Sequence, residues 1–147
     1  MSTFLRSIIA ALAIAGVATV AAPASAETVN FKADLKASNE VPPNASAGTG
    51  SVTATYDTAT KTLSWKGTHS GLTGAATMAH FHGPGEPGKN AGVAVWISTR
   101  GTPLPSPFEG TATLTDAQAA DLIAGHLYVN IHTSANAAGE IRGQVVK

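Results

Sequence analysis

Two histidines stand two residues apart in the stretch Met78-Ala79-His80-Phe81-His82-Gly83-Pro84. Read as a strand, it sends His80 and His82 from one face and Phe81 from the other, because strand side chains alternate. Imidazoles so placed lie roughly 6.5–7 Å apart at the backbone, close enough to share one metal ion. A third histidine ends another alternating stretch, where Leu127, Val129 and Ile131 take the core face and Tyr128, Asn130 and His132 the outer one. If these two strands are neighbours, His80, His82 and His132 converge. Three imidazoles around an open position are a ligand set used by copper and by catalytic zinc. The competing reading is that outward histidines are ordinary surface side chains.

Other chemistry-bearing residues are fewer. His69 precedes a break at Gly71 and is within reach of the site from a loop, although surface exposure accounts for it better. His126 lies six residues before His132, about 20 Å along a strand, and is read as surface. Glu40 and Glu140 are candidate general bases, but neither has a second carboxylate beside it, and strand-end exposure explains both. Arg142 reads as a solvated outward side chain or as an anion guide beside a metal. Trp65 and Trp96 read as core or sheet-face packing. No Ser-His-Asp order, phosphate-cradling glycine loop or calcium loop is present.

The elements that would position these residues are short strands. Val29, Phe31, Ala33 and Leu35 alternate with polar residues, as do Val52, Ala54 and Tyr56, then Leu63, Trp65 and Gly67. Val93, Val95 and Ile97 predict a strand over 92–98, and further strands follow at 108–114, 127–132 and 140–146. Pro42-Pro43 keeps the 38–44 segment out of any central strand. Gly83 to Gly88 is a glycine- and proline-rich loop, the kind of segment that carries function. Thr115-Asp116-Ala117-Gln118 is a capping box that predicts one short helix near 116–124, ended by Gly125. About eight strands with one small helix describe an all-β, Greek-key sandwich or barrel, immunoglobulin-like or superoxide dismutase-like.

The N-terminus reads as a processing signal over residues 1–26. Arg6 precedes an apolar run from Ile8 to Ala22, and Ala24-Ser25-Ala26 offers small residues at a cleavage site. The expectation is export, to the periplasm or fully secreted, with a single domain over 27–147 and no membrane span in the mature chain. Removing Arg6 leaves eight basic and nine acidic side chains, a net charge of −1 with neutral histidines. Without a basic run, nucleic acid and anionic membranes are poor partners. Cysteine is absent, which excludes thiolate metal sites, thiol nucleophiles and a lipid anchor on cysteine.

Five blocks in order resemble the CHRD domain, the module named for chordin and widespread as a small exported bacterial protein. They are Asn39-Glu40-Val41-Pro42-Pro43, Gly71-Leu72, His80-Phe81-His82-Gly83-Pro84, Leu127 to Thr133, and Gly139 to Gln144. The resemblance implies a β-sandwich outside the cytoplasm and no settled activity. A more distant resemblance is to Cu/Zn superoxide dismutase. Gly71-Leu72-Thr73, followed seven residues after Thr73 by His80-Phe81-His82, is similar to that family's copper-ligand strand. Leu127 to His132 resembles its later strand ending in a copper histidine, and Asn136 to Gly139 with Arg142 resembles its anion-guiding segment. No histidine follows His82 in the next loop and the cysteine pair is missing, so the resemblance implies a copper site without the zinc subsite.

The reading is therefore an exported binding module with a three-histidine site at His80, His82 and His132, for copper or alternatively zinc. His69, Arg142 and Glu140 are accessory candidates. Its partners would be the metal ion or an unidentified extracytoplasmic protein. The alternatives are a copper-dependent redox enzyme, with Arg142 steering an anion, and a protein-interaction domain without metal.

Overall fold

The computed structural model describes residues 25–99 and 101–147. The processing signal expected over residues 1–26 lies, but for its last two residues, outside the described residues. Eight strands and one helix follow in order: β1 (Thr28–Lys36), β2 (Thr49–Asp57), β3 (Thr62–Ser70), β4 (Ala76–His82), β5 (Val93–Trp96), β6 (Phe108–Thr113), α1 (Asp116–Ile123), β7 (Tyr128–Thr133) and β8 (Ile141–Gln144). They form one antiparallel sheet in the order β5-β4-β7-β8-β1-β2-β3-β6. Hairpins join β1 to β2, β2 to β3, β4 to β5 and β7 to β8, while the connection from β3 to β4 crosses between the two halves. The all-β expectation holds.

The sheet curls so that its halves face each other and nearly close. The ring of Trp65 on β3 meets that of Phe81 on β4 edge to face, with centroids 5.3 Å apart. Between the halves lie the residues that alternation assigned inward. Phe31, Ala33 and Leu35, Val52, Ala54 and Tyr56, Ala79 and Phe81, Val129 and Ile131, and Ile141 are all buried. Gly143 allows β8 to lie close to β1, because a Cβ there would run into the backbone of Asp34.

Helix α1 packs on the core through Leu122 and Ala119. Thr115 accepts from the Gln118 backbone at 3.2 Å, and the Gln118 side chain accepts from Thr115 N–H at 2.9 Å. Leu122 is its fully buried anchor, and Gly125, at φ 76°, ends it in the left-handed conformation. Strands β5 and β8 are shorter than the alternation predicts. No helix among the described residues is long and apolar enough to cross a membrane.

Candidate metal centre

The outer faces of the two halves differ. On β1, β2 and β3 the outer side chains are mostly exposed, but on β7 every residue is buried on both faces. Here the expectation of outward, surface histidines needs correction. His80, His82 and His132 do leave the sheet on the side opposite the core, yet they are only 3%, 9% and 6% exposed. Connections running over the sheet cover them, because β4 and β7 end in long loops that fold back across the strands.

Register brings the three histidines together. In the β4–β7 ladder His132 pairs with Met78, Asn130 with His80 and Tyr128 with His82. His80 Nδ1 lies 3.2 Å from His132 Nε2. One nitrogen from each ring falls within 4.8 Å of the others. Two of the rings are held by backbone through their other nitrogen, His82 Nδ1 at 2.9 Å from Ala91 O and His132 Nδ1 at 2.9 Å from Ala137 O. A carbonyl accepts only from N–H, so both rings carry the proton on Nδ1 and direct the Nε2 lone pair into the cluster.

Burial holds all three imidazoles below their ordinary pKa, that of His80 to about 4, with His132 and His82 adding to the effect. Neutral imidazole is the ligand form. Among the described residues five buried side-chain polar atoms lack a hydrogen-bond partner. Four of them lie here: His80 Nε2, His82 Nε2, Asn130 Oδ1 and Glu40 Oε1. Buried polar atoms left unmet call for a partner, and a guest would supply one. Three neutral imidazoles whose ring nitrogens meet this closely fit a borderline or soft metal ion.

The residues around the cluster depart from expectation. Arg142 is not solvated: it is 2% exposed, with its guanidinium 3.4 Å from the centre of the Tyr128 ring. It donates to Lys89 O and, at 3.0 Å, to Asn90 Oδ1. Tyr128 in turn stacks flat on His82, with centroids 4.9 Å apart. Glu140 is not an exposed strand end either. It is fully buried and accepts from Ser46 Oγ, Thr73 N, Thr73 Oγ1, Thr133 Oγ1 and Asn136 Nδ2 at 2.5–3.2 Å. Burial pushes its pKa up, but these donors together outweigh that and hold it at about 2. Such a carboxylate is a clamp on three loops and a poor general base. Glu40, also read as exposed, is 5% exposed.

His69 is not part of the cluster. It ends β3 with Nε2 3.1 Å from Leu104 O and its ring stacked on Phe108. His126 is half-buried after α1 and likewise lies outside it. Sequence reasoning missed Trp96, Tyr128 and Asn130. Trp96 pairs with His80 across β5 and β4, and the two ring centroids are 4.3 Å apart. For Tyr128 and Asn130 the signal was available, since the alternation that selects His132 places them on the same face.

The family model of the CHRD domain matches residues 31–145, which spans the sandwich and every residue of the cluster. The chain belongs to the CHRD-domain family. No curated protein and no solved structure matches it. The histidine cluster of this CHRD domain thus stands on its own geometry.

Proposed function

We propose that this CHRD domain is an extracytoplasmic binding module that holds one metal ion, copper or alternatively zinc, through His80, His82 and His132. The supporting observation is that three neutral imidazoles meet within 4.8 Å while two of their nitrogens have no protein partner. Copper is favoured because a set of imidazoles without thiolate or carboxylate suits it, and it lies highest in the divalent affinity order. A bound ion would supply positive charge and Lewis acidity, and with copper a one-electron couple. The chain's own residues hold and orient. Ala91 and Ala137 carbonyls lock two ring tautomers, and the flat Tyr128 ring fixes the plane of His82.

Binding is preferred to catalysis because Arg142, the residue needed to steer an anion, is committed to Tyr128 and the 83–92 loop. Calorimetric titration of the purified protein with copper(II) and zinc(II) tests the reading, with the double variant His80→Ala/His132→Ala alongside. Stoichiometric binding that disappears in the variant is the expected result. Binding unchanged in the variant would sink it and leave a protein-interaction domain. Export is tested separately by N-terminal sequencing of the protein recovered outside the cytoplasm, where a start at Glu27 is expected.

A further inference from the structure

Beside the histidines sits a carboxyl group for which the binding reading has no use. A 3₁₀ turn at Ala37–Asn39 delivers Glu40 onto the outer face of β7 and β8. The segment is tied there by Asn39 Nδ2 donating to Arg142 O at 3.0 Å and Asn90 Nδ2 donating to Val41 O at 3.0 Å. The Glu40 carboxyl fills the space that a side chain at residue 139 would take, and Gly139 at φ 134° leaves it free. Asn130 lies between Glu40 and His82, its side chain facing both. One carboxyl oxygen of Glu40 is buried without a partner.

Three neutral imidazoles bring no negative charge, and the charged side chain that acts on His82 is the cation of Arg142. A metal cation placed among them without a counter-charge would carry a large desolvation cost. Glu140 is already ionised and its oxygens are committed to five donors, so it has no proton to lose when a cation enters. We propose that Glu40 is the counter-charge of the three-histidine site, and that entry of a cation is coupled to loss of the Glu40 carboxyl proton to solvent. The inference rests on the metal-binding reading above. No bond other than O–H breaks, and the proton leaves as a hydrated or buffer-bound ion. Glu40 lines two clefts, of about 330 and 260 Å³, on either side of its segment, so a route to water lies next to it.

The groups acting on Glu40 are few. Burial raises its pKa to about 7, against opposing effects of Arg142 from β8, the Asn130 amide from β7 and the Val41 backbone. Two neighbouring loops flank Glu40, the one after β4 with Pro87 and Gly88 and the one after β7 with Ala135 to Gly139. Without a guest, the raised pKa therefore favours the protonated form of Glu40 at pH 6, while the ionised form is favoured at pH 8. A cation close by pulls its pKa down, so the proton is released on binding at pH 6 and is already gone at pH 8.

The test is zinc(II) calorimetry at both pH values in buffers of different ionisation enthalpy, comparing wild type with Glu40→Gln. Protons from the imidazoles are common to both proteins and cancel in the difference. The wild type is expected to release about one proton more per ion at pH 6 and nearly the same number at pH 8. At pH 8 the variant should bind at least about tenfold more weakly. Infrared difference spectra of the wild type at pH 6 give a check independent of the variant's folding, since a protonated-carboxyl band should vanish as zinc binds. Equal proton release in the two proteins, or no change in that band, overturns the inference while leaving the metal site standing. Failure of the wild type to bind any metal sinks the site and this inference together.

Discussion

Glu40 and Glu140 are the same residue type, both buried, and are shifted in opposite directions. Five donors surround Glu140, whereas Arg142, the Asn130 amide and the Val41 backbone together do not offset the burial of Glu40. Their effects on stability follow with opposite sign. Glu140, held at about 2, stabilises the fold fully above its unfolded value of 4.5 and loses that contribution as pH falls toward 2. Glu140→Gln should therefore cost about 2–3 kcal/mol at pH 7, and the gap to wild type should close under acid. Urea unfolding across pH measures it. Glu40, raised to about 7, makes the folded state bind more protons than the unfolded one between pH 4.5 and 7, so stability falls across that window. Metal-free Glu40→Gln should be about as stable as wild type at pH 4 and more stable by about 2 kcal/mol at pH 8. An unchanged melting temperature at pH 8 would contradict the burial argument. None of this was legible in the chain, where both glutamates read as solvated strand ends. Alternation tells which side of a sheet a residue leaves, but not whether a distant loop covers that side.

At the scale of elements, the outer face of β4, β7 and β8 behaves as a second core. Its contents are polar and its roof is the 83–92 loop. Arg142 and Tyr128 hold that roof: the guanidinium donates to Lys89 O and Asn90 Oδ1, and Ala91 N–H donates to the Tyr128 hydroxyl at 3.0 Å. Lysine cannot reproduce a planar fork stacked on a ring. Arg142→Lys is expected to cost about 2–3 kcal/mol and to speed amide exchange at Gly85 and Ala91. Tyr128→Phe keeps the stack on His82 and should cost only about 1 kcal/mol. Comparable exchange in Arg142→Lys and wild type would show the loop to be held otherwise. The helix was the more readable element, because a capping box is local and needs no partner strand to act.

For the molecule as a whole, closure of the sheet depends on residues that touch across its two halves. Phe81, fully buried against Trp65, is one of them. Phe81→Ala should cost about 3–5 kcal/mol, read from the urea midpoint at constant slope, and should loosen His80 and His82 on either side of it. Strand count, the single helix, the inward faces and the three histidines were determined by the sequence itself, because hydrophobic period and capping are properties of neighbouring residues. Register, the antiparallel neighbourhood of β4 and β7, and the burial of Arg142, Glu40 and Glu140 were decided by tertiary structure alone. They rest on contacts between residues roughly fifty to one hundred positions apart, such as His80 with His132 and Asn39 with Arg142. Chain-order patterns carry no record of such distances, and there the free energy of burying each polar group is set by whichever partner the fold supplies.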